Sequence, residues 1–209
     1  MQSLFKDFEK IIPLTPEESA TIESRISFHT VKKKGMILKE GKICKQYTFI
    51  NKGCFKMYGI DDKGFSHNIQ FAAEGDWIAD IGSFYTQTPS KLNIEAIENA
   101  EIFQINQVDL YELFINIPKL NRMFKVTSEN NFVELQNRVL QNFSSTAVER
   151  YISFLLHYTH LSNRLPNKEI ASYLGITPEF LSKIRKEIST TVFALSFAEY
   201  LLIFNFCKT

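Results

Sequence analysis

Residues 167–188 read Asn167-Lys168-Glu169-Ile170-Ala171-Ser172-Tyr173-Leu174-Gly175-Ile176-Thr177-Pro178-Glu179-Phe180-Leu181-Ser182-Lys183-Ile184-Arg185-Lys186-Glu187-Ile188. Two short helical patterns meet at Gly175, and each feature of the junction has a geometric reason. Ala171 is small where a second helix crosses the first. Gly175 supplies the positive φ that ends a helix, and Thr177 with Pro178 caps and opens the next. Ile170, Leu174, Ile176, Leu181, Ile184 and Ile188 form the expected shared core. Small residue, glycine and cap fall together at fixed offsets, so the spacing predicts a helix-turn-helix rather than an αα-hairpin with a solvated charged face.

The face left over presents Pro178, Glu179, Phe180, Lys183 and Lys186, with Thr177 at its start and Lys168 on the preceding helix. In a helix-turn-helix such positions meet base edges, and flanking basic residues meet phosphates. Glu179 is suited to accept from a cytosine amino group, Phe180 to touch a thymine methyl and Lys183 to donate to guanine O6 and N7. A Glu on such a face also serves to position its basic neighbour. The expected partner is double-stranded DNA.

Charge narrows where such contact can occur. The 209 residues carry 24 Lys+Arg and 23 Asp+Glu, a net charge of +1, so no strong overall field draws a polyanion or a membrane. Residues 1–120 hold 14 basic and 16 acidic side chains, whereas 146–188 hold 6 and 4. Cys44, Cys54 and Cys207 are too few and too dispersed for a disulfide framework or a metal cluster, and residues 1–10 lack the apolar stretch of a secretory signal. A cytoplasmic protein is expected.

Upstream, Thr15-Pro16-Glu17-Glu18 reads as a capping box opening a short helix to about Arg25. From Ser27 to Ile105, short β-type runs are punctuated by Lys34-Gly35, Glu40-Gly41, Asn51-Lys52-Gly53, Asp61-Asp62-Lys63-Gly64 and Glu74-Gly75-Asp76. That spacing predicts an antiparallel barrel or jelly roll. Runs flanking residues 51–53 and 61–64 suggest consecutive hairpins in a meander. Asn106 caps a helix that Pro118 stops. A long helix over about 119–143 then places Phe132, Leu135, Val139 and Asn142 at alternating steps of three and four, as a dimerising seam would, broken at Ser128-Glu129-Asn130-Asn131; an ordinary helix packed on its own barrel is the other reading. A further helix begins near Thr146, with Val148, Tyr151, Ile152, Leu155 and Leu156 as its apolar stripe.

This order of parts resembles the CRP/FNR family of bacterial transcription regulators over about residues 10–188. The phrase Ile170 to Arg185, preceded by Glu149-Arg150-Tyr151, is similar to a branch common in Bacteroidetes. The resemblance implies an α+β chain of two domains. Residues 1–118 would be a cyclic-nucleotide-binding-like sensor barrel, 119–143 a dimerisation helix, 144–188 an all-α, winged-helix-like DNA-binding domain, and 189–209 an apolar tail. It further implies a homodimer on a palindromic operator, with RNA polymerase as a further partner.

In family members that bind cyclic nucleotides, a Gly-Glu pair holds the ribose and an Arg-Ser pair the cyclic phosphate. Here Ala79-Asp80 and Ser90-Lys91 stand in those places. Asp80 is one carbon short, and Lys91 supplies a point charge instead of a bidentate guanidinium. A cyclic AMP site is not expected. The pocket the resemblance implies comprises Ala79, Asp80, Ile81, Gly82, Ser83, Ser90 and Lys91, covered by Leu135 and Gln136. Helix register sets aside Thr127-Ser128 as a ligand-touching pair. Three readings of the barrel stand side by side: another small effector in the same pocket, a sensor that has lost its ligand, or an interaction surface. Phe71, Trp77, Phe84 and Tyr85 read first as barrel core.

No metal or other cofactor is assigned, since lone histidines such as His29, His67, His157 and His160 are ordinarily structural or solvated. The chain has no P-loop, HExxH or G-x-S-x-G, and Asp76 and Asp80 read as a turn residue and a cap, so no catalytic residue is assigned. In residues 189–209 the only charged residues are Glu199 and Lys208 and there is no glycine, so a hairpin wing is not expected. Glu199 near the middle argues against a membrane span.

Overall fold

The computed structural model describes residues 1–190. The expectations for the tail therefore lie outside the described residues from position 191 onward. The chain divides into two compact units, Met1–Ser144 and the residues from Ser145 on.

The first unit opens with α1 (Gln2–Glu9) and α2 (Pro16–Arg25). Thr15 and Glu18 cap α2 reciprocally, as their spacing predicts, with Thr15 N–H donating to Glu18 at 2.7 Å. Eight strands follow: β1 (Ser27–Val31), β2 (Met36–Leu38), β3 (Gln46–Lys52), β4 (Phe55–Ile60), β5 (Ser66–Ala72), β6 (Trp77–Ile78), β7 (Asn93–Ala96) and β8 (Ala100–Asn106). The short helix α3 (Ile81–Thr86) interrupts them between β6 and β7. The strands form two four-stranded antiparallel sheets, in the orders β1-β8-β3-β6 and β2-β7-β4-β5. This is a jelly roll, as the turn spacing predicts.

One local expectation is corrected. β3 and β4 flank Asn51-Lys52-Gly53 but do not pair: β3 bonds β6 and β8, while β4 bonds β5 and β7. The turn carries the chain from one sheet to the other. Gly53, at φ +101°, passes so close to β8 that an added Cβ would lie 2.7 Å from the Ala100 Cβ. A glycine required by a close crossing carries the same sequence signal as one in a hairpin. The β4–β5 hairpin does form, with Phe55 opposite Ala72 and Ile60 opposite Ser66.

Phe49, Ile50, Phe55, Ile94 and Ile102 are fully buried, Phe49 and Ile50 on opposite faces of β3. Beyond β3, Trp77 packs at 5.3 Å from Tyr47, 6.1 Å from Phe8 and 5.2 Å from Phe124, ring centre to ring centre. α1 and α5 (Leu120–Ser144) therefore close on the same aromatic cluster as the barrel. Between them, α4 (Gln107–Asn116) is capped by Asn106, whose side chain accepts from Asp109 N–H. Only the first turns of α5 are buried, through Leu120, Met123 and Phe124.

The second unit contains α6 (Ala147–His157), α7 (Asn167–Leu174) and α8 (residues 178–190). Thr146 and Glu149 form a second capping box at the start of α6. The stripe expected on α6 is also corrected. Tyr151 and Phe154 are buried, continuing to Tyr158 and Leu161, while Ile152 is 43% and Leu156 77% exposed. The aromatic rings decide the face, since Phe154 packs 5.3 Å from Tyr158 and 5.6 Å from Tyr173. Two aliphatic positions of similar hydropathy cannot offset the larger area those rings remove from water.

Candidate nucleic-acid interface and sensor cavity

The helix-turn-helix is built as its spacing predicts. Gly175 adopts φ 68° and ψ 34°, and its N–H closes α7 against Ala171 and Ser172. Thr177 Oγ1 accepts from Phe180 N–H at 3.2 Å, opening α8. Ile170, Ala171, Leu174, Leu181 and Ile184 are buried, and Ile176 and Ile188 are half-buried. Arg185, to which the sequence reading gave no role, fastens the unit. Its Nε donates to the Tyr151 hydroxyl at 2.8 Å and one terminal nitrogen donates to Asn167 Oδ1 at 2.5 Å. This single guanidinium ties α8 to α6 and to the start of α7. The only sequence hint was one Arg between two outward lysines.

Pro178, Glu179, Phe180, Lys183 and Lys186 are all exposed, Phe180 at 46%. Lys183 and Lys186 make no ion pair among the described residues. Lys168 is exposed at the start of α7, 3.7 Å from the buried Glu169 carboxylate. One helix face thus combines an apolar ring, a carboxylate and two uncommitted ammonium groups.

In the first unit, a cavity of about 380 Å³ opens between the barrel and α5. Ala79, Asp80, Ile81, Gly82 and Leu135 line it. Ser83 and Ser90 sit behind that lining as buried supports, while Lys91 and Gln136 are exposed and outside it. Asp80 is doubly engaged: Oδ1 accepts from Ser83 N–H at 3.2 Å and Oδ2 from the Ser90 hydroxyl at 2.6 Å. The Ser83 hydroxyl in turn donates to the Thr88 carbonyl at 2.6 Å and accepts from Cys44 N–H at 2.9 Å. The segment that would hold ribose and phosphate is bonded to itself. Burial pushes the Cys44 thiol and the Tyr47 phenol above their ordinary ranges.

Ser128 also lines this cavity, which corrects the register argument that set it aside. Ser128, Asn131, Leu135 and Arg138 follow one another by three or four residues, with Phe132 beside Asn131, so all five lie towards one face of α5. Of the four aromatics assigned to the core, Phe71 and Phe84 are buried, Trp77 is buried and also lines the cavity, and Tyr85 is 41% exposed. Tyr47, Met57, Ile69, Gln70 and Leu92 complete most of the wall. Sequence reading missed them because they come from strands distant in the chain, where alternation marks only an inward side.

Along the cavity and past it, α5 leaves large apolar side chains in the open: Phe132 is 59% exposed, Leu135 48%, Val139 47% and Phe143 86%.

Residues 28–116 match the family of cyclic nucleotide-binding domains. No match was found among curated protein sequences. Among solved structures, the chain is similar to FixK2 from Bradyrhizobium japonicum, at 19% identity and a TM-score of 0.69, over 79% of this chain and 85% of that one. It is similar to the c-di-GMP responsive global regulator CLP of Xanthomonas campestris, at 11% identity and 0.70, over 85% and 93%. It is likewise similar to a crp/fnr family protein from Eubacterium rectale, at 16% identity and 0.66, over 87% and 88%. The chain therefore has the fold of these CRP/FNR transcriptional regulators, and its residues 28–116 are similar to cyclic nucleotide-binding domains.

Proposed function

We propose that the protein is a sequence-specific DNA-binding regulator that acts as a homodimer on a palindromic operator and does not respond to cyclic AMP. The exposed face of α8 carries this reading: Leu181 and Ile184 are buried and Arg185 is bonded to α6 and α7, whereas Glu179, Phe180, Lys183 and Lys186 are exposed. Two copies joined along α5 through Phe132, Leu135 and Val139 would set two α8 helices one helical turn of DNA apart. An effector acts by favouring one arrangement of that pair, because it shifts an equilibrium only through its different affinity for the two states. RNA polymerase is the further partner this reading includes, and the cytoplasm its compartment.

The argument against cyclic AMP is chemical. Asp80 is occupied by Ser83 and Ser90, and Lys91 lies outside the cavity lining. The one guanidinium in the lining, Arg138, already donates to the backbone oxygens of Asn68 and Ile69, so a cyclic phosphate would find no uncommitted bidentate donor.

Selection of bound fragments from a random DNA pool, at two salt concentrations and with and without cyclic AMP, tests the proposal. Enrichment of a two-fold symmetric sequence without nucleotide is expected. Enrichment only with cyclic AMP would overturn the sensor assignment, and enrichment of nothing would overturn the regulator.

A further inference from the structure

The cavity wall is mostly hydrocarbon and aromatic surface, supplied by Met57, Ile69, Trp77, Leu92, Phe132 and Leu135. A phosphate or carboxylate entering such a wall sheds its water and needs a cation or several N–H donors in return. Three charged side chains line it: Asp80, Glu134 and Arg138. The single guanidinium is committed to the barrel, donating to the backbone oxygens of Asn68, at 2.8 Å, and Ile69. Two carboxylates against one committed cation disfavour an anion. The neutral polar side chains of Gln70, Ser128 and Asn131 make no hydrogen bond with other described residues. The Trp77 ring contributes to the wall, but its indole N–H is buried in the packing behind it and does not open on the cavity.

Taking residues 28–116 as a sensor, as above, we propose that this cavity binds an uncharged, mainly apolar small molecule, and not a phosphate-bearing nucleotide. Its volume falls in the range that takes drug-sized molecules. Phe132 and Leu135 belong both to this wall and to the exposed seam of α5, so the occupant touches the helix that joins the two copies. Arg138 holds that helix to the β5 backbone beside it.

Trp77 is the single tryptophan of the chain, so its fluorescence reports on the wall directly. The full chain is titrated with prodan, a neutral naphthalene ketone, and with the matching naphthoate in which a carboxylate replaces the ketone. Cyclic AMP is the competitor, and DNA binding is measured on the same sample. Saturable prodan binding is expected, with blue-shifted emission, energy transfer from Trp77 and no displacement by cyclic AMP. The carboxylate should bind at least roughly tenfold more weakly, in keeping with the cost of burying an unpaired charge. Ser128→Phe, which fills the α5 side of the cavity, should weaken prodan by about as much while circular dichroism and melting stay unchanged. Equal binding of the carboxylate, displacement by cyclic AMP, or no saturable binding to the folded chain would overturn the assignment. DNA binding without prodan binding would sink the ligand class alone, and prodan binding without DNA binding would sink the regulator alone.

Discussion

Lys183 and Lys186 lie three residues apart on α8, yet they should fail differently. In the proposed complex Lys183 meets a base edge, so Lys183→Ala should cost about 1–3 kcal/mol on the cognate site and relax one operator position. Lys186→Ala should weaken every sequence alike and make the salt dependence shallower by about one phosphate contact. Competition titrations on a set of operator variants check both, and equal losses on cognate and random DNA for Lys183→Ala would contradict its assignment. Gly175 makes a separate prediction. An added Cβ meets nothing within 4 Å, so only the left-handed backbone opposes it. Gly175→Ala should therefore destabilise the second unit by about 1–2 kcal/mol, read as a lower melting temperature. Thr177, Gly175 and Ala171 were legible in the sequence because caps and left-handed turns depend on one residue's chemistry. Arg185 was not, because its partners Tyr151 and Asn167 lie 34 and 18 positions away.

At the scale of elements, α5 changes character along its length, from buried Leu120, Met123 and Phe124 to an open row of Phe132, Leu135 and Val139. An exposed row of that kind marks an interaction surface. Val139→Glu is expected to shift the protein from dimer to monomer in analytical ultracentrifugation and to lower operator affinity by more than about tenfold, because a charge in each copy would face its like across the seam. An unchanged dimer would place the joint elsewhere. The span of α5 and its seam were readable from a run without glycine or proline. The β3–β4 crossing and the buried face of α6 were not. A glycine turn does not say which sheet its second strand joins, and competing apolar faces are separated only by the rings they find in three dimensions. The same limit explains Ser128, whose place on the cavity depends on how α5 is rotated against the barrel.

For the whole molecule, a net charge of +1 means that DNA attraction comes from a few local cations and not from a long-range field. Binding should therefore fall with salt by a slope matching a small number of phosphates, and cyclic AMP should leave both affinity and slope unchanged. The jelly roll, the long helix and the helix-turn-helix were legible in order, since each rests on periodicity and turn chemistry that recur along the chain. The residues on which the proposal that no cyclic phosphate is clamped rests, Ala79-Asp80 and Ser90-Lys91, were also legible in the sequence. The cavity's apolar character was not, because its wall is gathered from four strands, the α3 segment and α5. Whether two copies read DNA through α8 is decided by fluorescence anisotropy of a selected duplex against its scrambled counterpart, in rising salt and without nucleotide. Two chains per duplex, a salt-dependent affinity and roughly a thousandfold or greater preference for the selected sequence are expected. Equal affinity for both duplexes, or one chain per duplex, would contradict that reading.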